Sequence, residues 1–458
     1  MRPACFFVLL SLLSPVAAFA QVTVGAAKLP VTPDLKALSP VFLAGFGHDR
    51  RATGVHDDLW ARCLAIAAQS HPVVLCGVDS IGLFFDDVER IRVLVRGQFR
   101  SPVDVIVAAT HVHQAPDTMG LWGPTAAVSG INEEYSSYVI QQTVAAAVSA
   151  LKSARPASLR LAHSTDPILD SFISDSRPPD RHDSELILLA ANDSHGARIA
   201  TLVNWANHPE SLGSKNTLVT ADYPYALCHR LEELDGGAVI FLNGAVGGMQ
   251  SPLGASIVDP DSKKPAPPET FRFAEILGNR VAELASRALR SARPSPKAHS
   301  IVYYEQTTVI PVSNQRFRAA SQAGLYRGRK TLRPDSSIEA PVGLLRIATK
   351  VGPLLEVACV PGELYPELSV GGIQRYPGAD FADAPFEPPL KSLLKARHRM
   401  LIGLANDEIG YIIPRAEWDE RPPYLNNASK PWYGEVNSVG PEAAPRIANA
   451  LRILLAHP

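Results

Sequence analysis

The sequence predicts an α/β fold, a large mixed β-sheet domain flanked by helices. Three observations predict it. Short apolar runs alternate with segments of helical periodicity through the first half of the chain, which is the pattern of a sheet covered by helices. The chain has 458 residues, of which 46% are hydrophobic, enough for a large core. Two of the apolar runs lead into histidines, at the strand ends where open α/β sheets collect ligands.

Taken in order, Val73–Val78 and residues 103–109 read as buried strands, because they are short, apolar and rich in valine. Residues 134–151 place alanine and valine at helical spacing. Residues 199–205 and 238–242 are strand-like again, and 271–289 read as a helix. The Pro- and Lys-rich stretches 259–268 and 292–297 read as exposed loops. The second makes 292–299 a candidate subdomain boundary. Beyond it, 300–312 contains a strand and 341–360 has room for two. Residues 377–389 are irregular, acidic and aromatic, as in a lid or rim loop. A last helix spans 441–455. No internal repeat is visible.

The first 20 residues read as a signal peptide. Arg2 supplies the positive end, residues 6–13 the apolar stretch, and Ala18-Phe19-Ala20 a small-x-small cleavage site before Gln21. The expected product is residues 21–458, exported to the periplasm or the extracellular space. No later stretch is long and apolar enough to span a membrane. Cys5 leaves with the signal. Cys63, Cys76, Cys228 and Cys359 remain, mostly among apolar residues and without a Cys-x-x-Cys. Buried free thiols are the default expectation. Export also permits one or two disulfides, whose pairing the sequence leaves open. A net charge of −1 with no long run of like charge gives no reason to expect nucleic acid as a partner.

The candidate chemistry starts at Thr110-His111-Val112-His113, directly after the strand 103–109. On an extended chain residues i and i+2 face one side, so both imidazoles would point to one place, and neutral imidazole is a common zinc ligand. An isolated His-x-His pair is more often two ordinary hydrogen-bonded histidines; the rest of the chain changes that balance. His208 follows another strand in Asn204-Trp205-Ala206-Asn207-His208-Pro209. Glu363 follows a third in Pro361-Gly362-Glu363. Tyr411 lies in Asn406-Asp407-Glu408-Ile409-Gly410-Tyr411, after the apolar run 401–404. The glycines of Asn243-Gly244-Ala245-Val246-Gly247-Gly248-Met249-Gln250-Ser251-Pro252 allow close backbone approach to a ligand.

In this order the segments resemble the catalytic region of the neutral/alkaline non-lysosomal ceramidases. The resembling segments are Gly54-Val55-His56-Asp57-Asp58-Leu59-Trp60-Ala61-Arg62, Thr110-His111-Val112-His113-Gln114, Asn204-Trp205-Ala206-Asn207-His208-Pro209, Met249-Gln250-Ser251-Pro252 and Pro361-Gly362-Glu363. The resemblance runs from about residue 22 to the region of residues 433–435. It implies a ceramidase-like catalytic domain and a zinc ion held by His111, His208, Glu363 and Tyr411. It also implies that His113 contacts the substrate or the developing oxyanion, and that Ser251 is a substrate-binding hydroxyl or a nucleophile. Ser176-Arg177-Pro178-Pro179 partly matches a further family segment, which makes Arg177 a candidate substrate contact; an ordinary surface arginine fits the same residues.

The implied activity is zinc-dependent hydrolysis of a linear amide, in which zinc-activated water cleaves the N-acyl bond of ceramide or a related N-acyl lipid. The implied partners are a small lipid or N-acyl substrate and transient contact with a membrane surface. Two residues depart from the family pattern: Gln114 stands for a serine and Met249 for an aspartate. The family's C-terminal immunoglobulin-like domain has no expected counterpart here. Two alternatives stand beside this reading. One is a metallohydrolase of the same superfamily acting on a different N-acyl or ester substrate. The other is a catalytically silent relative that binds lipid or glycan.

Overall fold

The computed structural model describes residues 22–69 and 71–457. The expected signal peptide, with Cys5, lies outside the described residues.

The chain opens with β1 (Thr23–Pro30), β2 (Gly54–Val55), β3 (Trp60–Ala67) and β4 (Val73–Val78). Helix α1 (Phe85–Phe99), β5 (Asp104–Ala109), α2 (Glu133–Lys152) and β6 (Arg155–Ser164) follow. Next come α3 (Pro167–Ser171), β7 (Leu186–Asp193), β8 (Arg198–Trp205) and β9 (Leu218–Val219). They lead to α4 (Tyr223–Asp235), β10 (Ala238–Asn243) and α5 (Phe271–Ser291). The remainder begins with β11 (Ser300–Pro311), α6 (Gln315–Gln322), β12 (Ser337–Thr349) and β13 (Gly352–Cys359). It continues through β14 (Glu363–Leu364), α7 (Pro366–Val370), α8 (Leu390–Leu393) and β15 (His398–Ile402). It ends in β16 (Tyr411–Ile412), α9 (Tyr433–Val436) and α10 (Ala443–Leu455).

Eight strands form one mixed sheet in the order β10-β8-β7-β6-β1-β3-β4-β5. The pairs β4–β5 and β8–β10 are parallel and the rest antiparallel. A second sheet, β11-β12-β13-β15, lies against it. The period-2 alternation of side chains shows how the layers stack. In β4, Val74, Cys76 and Val78 point into a core shared with α1 and α2. Val73 and Leu75 point the other way, into a core shared with Leu345, Ile347, Leu355 and Val357 of the second sheet. The outer face of that sheet, with Val342, Leu344 and Ala358, is covered by Ile447, Leu451 and Leu454 of α10. The molecule is thus four layers, helix–sheet–sheet–helix. Buried on both faces, β4 reads in the sequence as an unbroken apolar run.

Helix starts are marked by local chemistry. Asn132 caps α2 by accepting the Tyr135 N–H, with Glu133 and Glu134 in the first turn. Thr270 caps α5 through the Phe273 N–H. Residues 292–299 connect α5 to β11, where the second sheet begins.

Cys63 and Cys76 face each other across the β3–β4 ladder and form a disulfide. Cys228 and Cys359 are free and buried, as expected of thiols among apolar residues.

Candidate metal centre

The site lies beyond the carboxyl ends of β5, β8, β10, β13 and β15. Parallel pairing brings these ends to one edge of the fold, the usual place for a ligand in such sheets. Two asparagines tie the strand exits together. Asn243 Nδ2 donates to the carbonyls of Thr110 and Asn207, and its Oδ1 accepts the Asn207 N–H. Asn204 Nδ2 donates to the carbonyls of Leu242 and Leu401.

His111 and His113 converge, but not by strand alternation. The strand stops at Ala109, and His111 sits in the left-handed region at φ 69°, a costly place for a non-glycine residue. The turn is held by the N–H groups of His111 and Val112, both donating to the Ser80 carbonyl. The two rings end up 4.9 Å apart and nearly perpendicular. The expectation of an extended His-x-His is therefore corrected: a strained turn, not the pleat, aims them.

Both histidines expected as ligands, His111 and His208, are oriented by backbone. His111 Nδ1 lies 2.6 Å from the Ile81 carbonyl, and His208 Nδ1 lies 2.6 Å from the Gln250 carbonyl. An Nδ1–H donating to a carbonyl leaves Nε2 as the lone-pair donor, the arrangement seen behind metal-bound imidazoles. Both Nε2 atoms turn to one carboxylate oxygen, Glu363 Oε2, at 3.4 Å from His111 and 3.1 Å from His208. Glu363 is placed by the two-residue ladder of β14 and β16, which sets it directly opposite Tyr411. The Tyr411 hydroxyl donates to the Met249 sulfur at 3.1 Å. The expected ligands His111, His208, Glu363 and Tyr411 are thus all brought to one buried place.

The electrostatics mark a point that attracts positive charge. Burial, the largest single influence, opposes the His208 imidazolium, but the hydrogen bond to Glu363, the charges of Glu210 and Glu363 and the Gln250 carbonyl together outweigh it and raise His208 to about 9. Burial pushes Glu363 up, yet the charges and hydrogen bonds of His111 and His208 hold it well below the usual carboxylate range. A cation seated there would stabilise Glu363 in the same way. The ring nitrogens of His111, His113 and His208 supply donor atoms all within 4.8 Å of one another. Neither ring nitrogen of His113 has a hydrogen-bond partner among the described residues. The residues present fit a metal ion.

Two further carboxylates reach the site that the sequence reading did not single out. Glu210 Oε2 lies 3.3 Å from His113 Nδ1. It follows His208 by two positions, as His113 follows His111, and that repeated spacing was the available signal. Glu408 lines the same cavity as His111, His113, Glu363 and Tyr411. It stands in the run Asn406-Asp407-Glu408, where nothing local separates it from its neighbour.

Arg177 and Ser251 do not line this cavity. The Arg177 guanidinium is buried and taken up by Glu435, by the Tyr365 hydroxyl at 3.2 Å and by the Glu417 carbonyl at 2.8 Å. It braces the chain behind Glu363 instead of presenting a donor to the cavity. Ser251 is buried too: its Oγ accepts the Leu253 N–H, and its backbone pairs with Ser174 in both directions. This anchors Gln250, whose carbonyl orients His208. Gln114 is likewise internal, accepting from Arg50 at 2.6 Å and Asn216 at 3.0 Å.

From this centre a cavity extends between the loops. Phe84, Met119, Trp122, Phe317, Tyr326 and Leu332 make its walls largely apolar, the character of a site that takes a hydrocarbon-rich ligand.

No protein-family model matches the chain, and no curated protein matches it. Solved structures do. One described as a ceramidase complexed with C2 superposes with a TM-score of 0.70, and the neutral ceramidase from Pseudomonas aeruginosa with 0.65. Each comparison covers 95% of this chain and 75% of the other, at 16% sequence identity. The chain shares the fold of these neutral ceramidases.

Proposed function

We propose that the protein is an exported zinc-dependent hydrolase that cleaves the N-acyl bond of ceramide or a related N-acyl lipid. One observation carries the reading: the Nε2 atoms of His111 and His208 converge on Glu363 Oε2 at the end of an apolar cavity. Two imidazoles and a carboxylate are a zinc-type donor set, and Tyr411, paired beside Glu363, is the fourth group that the family resemblance implies. Zinc at that set supplies a Lewis acid for the amide carbonyl and makes water a nucleophile near neutral pH.

The chain's own residues supply the rest. The apolar walls hold the acyl chain and exclude water from it. Hydrolysis forms a bond from water oxygen to the carbonyl carbon, breaks the carbon–nitrogen bond and leaves a proton on the amine. His113 is suited to move that proton. Burial, then the charges of His111 and His208, hold it well below its ordinary value, so it is neutral and can accept. It lines the cavity, and its Nε2 has no hydrogen-bond partner among the described residues. This replaces the oxyanion contact expected from sequence. Ser251 is assigned a positioning role, and a Ser251→Ala variant that lost nearly all turnover while keeping its metal would contradict that.

Export is supported by the pattern of residues 1–20 and by the Cys63–Cys76 disulfide, since such bonds persist in oxidising compartments. No described helix is long and apolar enough to cross a membrane. A substrate of this class is reached by transient contact with a lipid surface.

The test is elemental analysis of the purified protein beside a His111→Ala, His208→Ala double variant, followed by a panel of N-acyl amides and esters headed by ceramide. Zinc in the parent, its loss in the variant and amide cleavage by the parent are expected. A protein that takes up no metal even after zinc is added refutes the mechanism and favours a silent binding relative. Cleavage of esters alone favours the other superfamily substrate class.

A further inference from the structure

One carboxylate on the cavity wall has no task in the reaction above. Glu408 is only 4% exposed and stands among the lining residues with Glu363 and Tyr411. Its Oε1 accepts the Gly410 N–H at 2.7 Å. Its Oε2 is buried and has no hydrogen-bond partner among the described residues.

No cation among the described residues is ion-paired with it. Lys330 also lines the cavity, but its ammonium is bound by Asp407. Asp407 is in turn filled by the N–H groups of Phe85 and Glu408 at 2.9 and 2.8 Å. The Glu408 side chain is also packed in place. A Cβ on Gly82 would lie 3.1 Å from its Cγ and 2.6 Å from the Met119 sulfur. A buried polar atom without a partner costs free energy, and each such atom in a native fold calls for an explanation. The walls around this one are mostly apolar, so the missing partner is best supplied by a ligand.

We propose that Glu408 Oε2 hydrogen-bonds an oxygen substituent, a hydroxyl or carbonyl, carried on the substrate's apolar chain close to the bond that is cleaved. The proposal rests on the N-acyl hydrolase reading and narrows it to oxygenated acyl chains. A protonated carboxyl at this place presents one O–H donor to such an oxygen. A plain hydrocarbon chain leaves that donor unpaired, and a site built to bond a hydroxyl discriminates against the analogue lacking it. Glutamine at this position also presents a donor; leucine presents none.

The experiment compares N-acyl amides of one chain length that are plain, hydroxylated on the carbon next to the carbonyl, or hydroxylated one carbon further. The wild type is expected to favour one hydroxylated chain by about tenfold or more in kcat/KM. Glu408→Gln is expected to keep that preference and Glu408→Leu to reduce the ratio to about one. Equal rates on all three chains in the wild type, or an undiminished preference in Glu408→Leu, overturn the proposal. Should Glu408→Leu fail to fold, the wild-type ratio and Glu408→Gln decide, and abolition of the preference by glutamine counts against it. If the wild type cleaves none of the amides, the hydrolase reading fails separately. The same ratio, taken from calorimetric dissociation constants of the intact amides, then decides the Glu408 contact.

Discussion

Glu363 and Tyr411 are paired directly across the two-residue parallel ladder of β14 and β16. Residues 48 positions apart in sequence are thereby held side by side at the end of the apolar cavity. These two-residue strands carry two of the four expected ligands, and a ladder fixes relative position more tightly than a loop.

Removing the Tyr411 hydroxyl is therefore expected to weaken metal retention without unfolding the chain. Tyr411→Phe keeps the ring contacts to Tyr365 and Tyr433 and deletes one oxygen. The expected outcome is a loss of about tenfold or more in zinc affinity, by analogy with the loss of groups that support a metal site. Competition with a chromogenic chelator measures it. Unchanged affinity would remove Tyr411 from the ligand set and leave the third imidazole, His113, as the candidate in its place.

Gly247 lets the loop that orients His208 approach the turn that carries Glu363. A Cβ there would lie 2.7 Å from the Glu363 carbonyl oxygen and would also collide with the Tyr365 ring. Gly247→Ala is expected to destabilise the fold by about 1–3 kcal/mol through overpacking and to lower metal affinity as Glu363 shifts. A thermal melt and a metal titration read the two effects. A variant as stable as the parent would show that the loop can move aside.

Glu417 gives a pH signature away from the metal centre. Burial, then the neighbouring Glu367 carboxyl, raise it from 4.5 to about 8. The folded state therefore binds this proton more tightly than the unfolded state does. Its contribution to stability is full below the unfolded value and is lost as pH rises through the folded one. Glu417→Gln keeps the Oε1 acceptor for the Gln374 N–H and cannot ionise. Relative to the parent, the variant is expected to gain stability steadily between about pH 4.5 and pH 8. Urea midpoints across that window provide the measurement; a difference independent of pH would show that Glu417 does not titrate there.

The Cys63–Cys76 disulfide closes a loop between positions 13 residues apart, inside the core shared with α2. A Cys63→Ala, Cys76→Ala double variant is expected to lose about 2–4 kcal/mol, mainly through the freer unfolded chain. Denaturant unfolding measures the loss. Unfolding midpoints that coincide with and without the bond would mean that strand pairing alone fixes this part of the sheet.

The sequence by itself determined what is written in local periodicity. The apolar runs at β4, β5, β8 and β10 and the helical spacing of α2, α5 and α10 are visible because burial repeats at the period of the backbone. His111 and His208 stood out for the same reason, since each follows such a run within a few residues. The tertiary structure decided what depends on residues far apart in the chain. It put a second sheet rather than helices over one face of the first, and it opposed Cys63 to Cys76 by strand register. It drew Arg177 into Glu435 and away from the cavity, although its local sequence fits a substrate contact and a surface arginine equally well. It also made Glu210 and Glu408 parts of the site while filling Asp407, the neighbour of Glu408, with donors from Phe85 and Lys330. A periodicity records only whether a side chain points inward. Which partner it meets is set by long-range pairing, and at a buried site the partner fixes each group's charge and direction.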